Sequence, residues 1–289
     1  MSVDHSIGSL VLTMSCPDRA GIVAALSGFI ADHGGSIAEA AHFVDHATQR
    51  SFMRASFSGT DPAGRGELAE RFSAVADRLN MDWDIHDTAR RCRVLVAVSK
   101  QGHVLNNLLH RWSVGTLPIE IVAVVSNHDD MRSLTEWYKL PYHHLPVDRD
   151  DKARQERQVL ELFASYDADV LVLARYMQIL SAETCGLLAG RAINIHHSFL
   201  PGFKGARPYH QAYQRGVKII GATAHFVTTD LDEGPIIEQG VERVDHTMGP
   251  DELAKIGHDL ESLVFNRAVR WFAERRIFLS GQRTVILRS

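Results

Sequence analysis

In the segment "INIHHSFLP" (193–201) an apolar run with strand character ends in Asn194, His196 and His197 and then breaks at a proline. Successive side chains of a strand point to opposite faces, so Asn194 and His196 share one face while Ile193, Ile195 and His197 share the other. An amide N–H beside an imidazole is suited to hold a carbonyl oxygen as it becomes an oxyanion, or to shuttle a proton. His197 points elsewhere by the same alternation and reads as structural. Downstream, "GATAHFVTTDLDEGPII" (221–237) starts as an alternating strand with Thr223, His225 and Val227 on one face. It then breaks into a loop that carries Asp230, Asp232 and Glu233 ahead of Gly234 and Pro235. A carboxylate next to Gly-Pro sits at a rigid turn, which makes Asp232 the best-placed acid; taken alone, the segment reads by default as a solvated turn aspartate.

Amide, imidazole and carboxylate together fit acyl chemistry without a covalent intermediate. There is no GxSxG nucleophile elbow, and no cysteine lies in these loops. His196, His197, His210 and His225 raise the alternative of a zinc hydrolase. The sequence has no HExxH, and adjacent histidines on one strand point apart, so no metal site is expected. His225 and Thr223 stand behind the reacting pair; for His225 a buried, hydrogen-bonded core position is an equal reading.

The elements around this site follow from periodicity. At 289 residues the chain exceeds an ordinary single domain, so two domains are expected. Residues 7–14 read as a strand and about 19–33 as a helix, with Asp18 placed to cap it and Gly34-Gly35 to stop it. Two strands follow around a polar turn. An amphipathic helix then carries Leu68, Phe72, Val75 and Leu79, and "MDWDIHD" completes a βαββαβ, ferredoxin-like unit. The polar segment 86–93 sets the expected boundary, giving domains 1–88 and 89–289. The second alternates strands (92–99, 119–126, "ADVLVLA") with helices (103–113, 130–138, 150–165), which is the pattern of a mainly parallel open α/β sheet. Ligands of such sheets bind beyond the carboxyl ends of the strands, and "INIHH" is one of those ends. The loop "SFLPGFKGARP" (198–208) reads as either a pocket wall or a plain surface loop. Residues 250–278 read as one long amphipathic helix with Leu253, Ile256, Leu260, Leu263 and Val264 on a stripe.

Composition narrows the partners. A formal charge of -4 without a long basic run gives no footprint for nucleic acid. No apolar run approaches a membrane span, and the amino-terminal segment lacks a cationic n-region, so a cytoplasmic protein is expected. Cys16, Cys92 and Cys185 are scattered and odd in number, which argues against a disulfide framework and a zinc cage.

Two resemblances sharpen this reading. "PDRAGIV" followed by "HGGSI" resembles the ACT domain, a regulatory module that often binds amino acids and pairs through its sheet. That resemblance implies an effector near Asp18, Arg19 and Gly21 and a homo-oligomer; a helix cap and a tight backbone approach account for the same residues. "INIHHSFLPGFKG" with "GATAHFVTTDLDEGPII" resembles the formyltransferase fold family that uses 10-formyltetrahydrofolate. Its Asn-x-His and Leu-Asp-x-Gly-Pro motifs fall on Asn194, His196 and Asp232. "LARYMQILS" resembles its folate segment, which implies a pterin held by Met177, Gln178 and Leu180 and by Thr228, Thr229 and Leu231. The whole chain resembles the formyltetrahydrofolate deformylases. The resemblance implies that folate is the substrate and that no further cofactor is needed. The implied reaction is hydrolysis to formate and tetrahydrofolate, supplying formate for purine synthesis and balancing one-carbon pools, with methionine or glycine as effector. "SKQGHVLNNLL" (99–109) has one glycine where transferases acting on a phosphorylated amine have a glycine-rich loop, which favours water as acceptor. Formyl transfer to an amine is the alternative, and a folate-binding amino-acid sensor without turnover is a third reading.

Overall fold

A computed structural model describes residues 9–59, 64–148, 151–200 and 208–288. The chain divides into two compact units. One comprises residues up to Arg91 together with 275–278 and 285–289, and the other comprises 92–274 with 279–284. The division falls between Arg91 and Cys92, against an expected 88/89, and the first unit also takes in carboxyl-terminal residues that the sequence reading placed in the second domain.

In the first unit, β1 (Leu10–Pro17), α1 (Ile22–Asp32), β2 (Ser36–Asp45), β3 (Arg50–Ser58), α2 (Gly64–Leu79) and β4 (Asp82–Asp87) form an antiparallel sheet of order β2-β3-β1-β4 with two helices. Leu12, Met14, Leu26, Ile30, Phe57 and Phe72 are its buried core, and Phe72 meets Phe29 and Trp83 edge-on at 4.9 and 4.8 Å. Leu68 is buried as its helical spacing predicts, and Val75 and Leu79 pack against the same core. The expected Asp18 cap is not formed. The helix starts at Ile22 behind Gly21, whose φ of 90° is a left-handed geometry natural to glycine, and no side chain caps it. The Asp18 carboxylate instead accepts from Ser51 Oγ at 2.5 Å.

The second unit starts with β5 (Cys92–Val98), α3 (His103–Ser113), β6 (Ile119–Ser126), α4 (Arg132–Trp137) and β7 (Tyr142–His144). It continues with α5 (Lys152–Ser165), β8 (Val170–Leu173), α6 (Ala182–Leu187), β9 (Ala192–His196), α7 (Pro208–Arg215), β10 (Ile219–Phe226), β11 (Ile236–Arg243) and α8 (Pro250–Ala273). The sheet order is β11-β10-β9-β8-β5-β6-β7. The five strands from β9 to β7 are parallel; β10 pairs antiparallel with β9, and β11 antiparallel with β10. The inner parallel strands β5, β6 and β8 are apolar runs such as "VLVL" because both of their faces are covered. The chain leaves β5 toward β6 and β7, then returns to β8 on the other flank of β5. The loops after β5 and β8 therefore part at a topological switch point, where a crevice opens.

The last expected helix is shorter than 250–278. It ends at Ala273, Arg275 turns the chain with φ 56°, and β12 (Ile277–Ser280) pairs with β13 (Arg283–Ile286). Leu253, Leu260 and Val264 are buried on its inner stripe, whereas Leu263 is exposed. Among the described residues no helix is long and apolar enough to cross a membrane.

Candidate active site

At the carboxyl ends of β8 and β9 lies a cavity of about 330 Å³, bounded by the loops 175–180 and 227–232. Asn194, His196 and Asp232 line it together. So do Met177, Gln178, Leu180, Thr228, Thr229 and Leu231, along with Arg175, His197 and His225. Loop 198–208 is described only to Leu200 and from Pro208 on, so its reading as a pocket wall lies outside the described residues.

Backbone register brings the polar groups together. β10 runs antiparallel to β9 with His225 opposite Asn194 and Thr223 opposite His196. Directly paired residues of neighbouring strands project on one face, so the two dyads make a four-residue patch. His225 Nδ1 lies 2.8 Å from the Phe226 carbonyl oxygen, which can only accept, so Nδ1 carries the proton. Burial lowers the pKa of this imidazole despite that bond, which keeps it neutral and leaves Nε2 as an acceptor. Asn194 Nδ2 is 3.2 Å from Nε2 and donates to it, which fixes the orientation of the amide. Thr223 is fully buried; its hydroxyl donates to the Ser198 carbonyl at 2.9 Å and accepts from the Leu200 N–H at 3.2 Å. It secures the start of the loop that follows His196.

Asp232 enters from the turn after β10. Its Oδ1 is 3.3 Å from His196 Nδ1 and 3.8 Å from His225 Nε2. Burial works to raise its pKa, but the hydrogen bond and charge of His196, with His225 and His197 behind, outweigh it and hold the carboxyl below its usual range. Its φ of 59° is left-handed, a conformation tolerated best by Gly, Asn and Asp. The turn is locked by Gly234: a Cβ there would lie 1.8 Å from the Phe226 carbonyl oxygen, the same atom that fixes the His225 tautomer.

The walls are braced from outside the cavity. Glu156 of α5 accepts from the Ser181 N–H and from Thr184 Oγ1 at 2.6 Å, and Lys152 donates to the Ile179 carbonyl. The Cys185 thiol, reduced and buried, points to the Thr228 carbonyl at 3.4 Å and ties one wall to the other. Ser99 Oγ accepts from the Met177 N–H at 3.0 Å.

His197 does not face away from the site as alternation suggests, because the strand ends at His196. Its ring lies 4.9 Å from that of His196 and borders the cavity. Burial, with the charges of Arg175 and His196, pushes its pKa down to about 3.

Next to it is a network that local motifs do not reveal. Glu261 of α8 is fully buried and accepts from Tyr209 Oη at 2.6 Å and His103 Nε2 at 2.8 Å, and Arg175 Nε is 3.5 Å away. Arg175 also donates from Nε and Nη2 to Gln101 Oε1 at 2.9 and 2.7 Å. His103, His258 and Glu261 place ligand-type atoms within 4.8 Å of one another. The Arg175 guanidinium beside Glu261 already supplies a cation there, so the cluster is built as an ion-pair network.

Comparison with known proteins identifies the relatives of both units. Residues 92–269 match the Formyl transferase family and residues 10–77 the ACT domain. A formyltetrahydrofolate deformylase of Corynebacterium sp. (strain P-1) is 50% identical over 96% of this chain and 98% of its own length. The crystal structure of a formyltetrahydrofolate deformylase from Burkholderia mallei superposes with TM-score 0.93 at 51% identity, covering 97% of this chain and all of that one. A glycinamide ribonucleotide transformylase from Symbiobacterium toebii aligns with TM-score 0.65 at 28% identity over 71% of this chain and 98% of its own. The chain belongs to the formyltetrahydrofolate deformylase family, with an N-terminal ACT domain and a C-terminal formyltransferase-fold domain.

Proposed function

We propose that the chain hydrolyses 10-formyltetrahydrofolate to formate and tetrahydrofolate, with Asn194, His196 and Asp232 as the groups that act on the formyl carbon. The observation that carries the reading is their convergence in one cavity, with the Asp232 carboxylate 3.3 Å from His196 Nδ1. The Asn194 amide keeps a second N–H for the formyl oxygen after bonding His225. In its charged form His196 donates from Nδ1 to Asp232 and from Nε2 to the same oxygen. Water, aligned by Asp232, attacks the formyl carbon, and the two donors meet the negative charge as it develops. The bond from carbon to N10 then breaks. A proton taken from the water by Asp232 is returned to N10, and formate leaves.

Met177, Gln178, Leu180, Thr228, Thr229 and Leu231 form the pterin walls in this reading, with His225 and Thr223 as the residues that orient the pair in front. The ACT unit carries regulation: methionine or glycine binds near Asp18, Arg19 and Gly21, and copies of the chain associate through this unit. Absence of any change in activity or melting temperature with millimolar methionine or glycine would rule out that effector pair. The enzyme works in the cytoplasm, without a metal.

The reaction is tested by incubating the protein with 10-formyltetrahydrofolate, with and without a chelator. Formate and tetrahydrofolate should appear in equal amounts, and chelator should not slow them. Stoichiometric folate binding by folded protein without formate would contradict the reading.

A further inference from the structure

Glu261 is a carboxylate with no solvent contact, placed just behind the residues that border the reacting centre. From His196 outward, the rings of His197 and then Tyr209 follow at 4.9 and 6.4 Å, and the Tyr209 hydroxyl bonds Glu261. A buried carboxylate needs a counter-charge, so this position is a natural seat for a cationic group next to a formyl-bearing cavity. An amine acceptor arrives mostly as a cation, and the part of this seat that borders the cavity is the position of Arg175.

In this chain the seat is already taken. Arg175 Nε stands 3.5 Å from Glu261, and the guanidinium is also held by Gln101, whose Oε1 accepts from Nε and Nη2. Arg175 itself lines the cavity and is only 7% exposed. Its backbone is unusual in a telling way. The φ of 64° is left-handed, where glycine is the default and a long side chain is disfavoured. The turn would form more readily with glycine, so the arginine is held in place by its side-chain contacts rather than by the needs of the loop. The related glycinamide ribonucleotide transformylase shows that this fold also serves an amine-bearing acceptor.

We propose that Arg175, held by Gln101 and Glu261, excludes amines from the site and so determines that water is the formyl acceptor. This rests on the hydrolytic reading above. Without the guanidinium, an amine that enters as a cation gives one proton to Asp232, and its nitrogen, now with a free lone pair, attacks the formyl carbon in place of water. The bond from carbon to N10 breaks, one amine proton moves to N10, and the products are an N-formyl amine and tetrahydrofolate with no formate.

The test uses the full-length protein and its Arg175→Gly and Gln101→Ala variants. The backbone angle at 175 accepts glycine, but Arg175→Gly takes a counter-charge from buried Glu261, so its folding is checked by melting temperature, whereas Gln101 is exposed and Gln101→Ala leaves that ion pair in place. Each is given 10-formyltetrahydrofolate with a labelled formyl group and increasing glycinamide, and formate and N-formylglycinamide are counted. The unaltered protein should give formate alone. Arg175→Gly should raise the ratio of N-formylglycinamide to formate by about tenfold or more, the scale on which a pocket discriminates small ligands. Gln101→Ala should give a smaller rise. Formate alone from Arg175→Gly would overturn the proposal. Should that variant lack turnover, Gln101→Ala decides in the same terms; loss of turnover in both would place Arg175 in the chemistry and also overturn it. Absence of formate from the unaltered protein would instead refute the hydrolytic reading.

Discussion

Asn194 Nδ2 donates to His225 Nε2 across 3.2 Å, and the Phe226 carbonyl on the far side of the imidazole makes that direction obligatory. A buried neutral histidine thus sets which atoms of the asparagine amide are available to a substrate oxygen.

Replacing His225 by Phe keeps a ring in the space and removes the acceptor. The Asn194 amide then loses its preferred orientation, which should lower kcat by about tenfold or more, since an orienting hydrogen bond of ~1–2 kcal/mol corresponds to that factor. KM should change far less. Steady-state kinetics that show an unchanged kcat would remove His225 from the account.

Gly234 is a second control on the same carbonyl. An added Cβ meets the Phe226 oxygen at 1.8 Å, so Gly234→Ala must displace either the Asp232 turn or the carbonyl that fixes His225. Activity should fall more steeply than stability. A variant with both ordinary melting temperature and ordinary turnover would show that neither feature matters.

Acid should weaken the fold through His197. Its folded pKa is pushed to about 3 from an ordinary 6.5, so the unfolded chain takes up the proton first as pH falls. The stabilisation is complete above pH 6.5 and is lost between about 6.5 and 3, with a slope of ~1.4 kcal/mol per pH unit. His197→Phe should flatten that part of a plot of unfolding free energy against pH. An identical slope in the two proteins would contradict the assignment.

Much of the site could be read from short-range pattern. Alternation along β9 pairs Asn194 with His196, and the antiparallel register of β10 brings His225 and the Asp232 turn up to them. Parallel strands of continuous apolar residues marked the sheet, and helix α3 at His103–Ser113 follows the expected span. What escaped was set by contacts distant in sequence. Arg175 and Gln101 are 74 positions apart and His103 and Glu261 are 158 apart, with no local motif joining them. Alternation also failed at His197, where the strand stops. The Asp18 cap failed because a left-handed glycine starts α1 without one.

In the proposed reaction Asp232 activates the attacking water. Formate release by purified, folded Asp232→Asn, measured beside the unaltered protein at saturating 10-formyltetrahydrofolate, tests it most directly. The amide keeps the shape and cannot take a proton, so the rate should fall by about 10² to 10⁴, the usual contribution of a general base. Near-normal formate release from that variant would contradict the account.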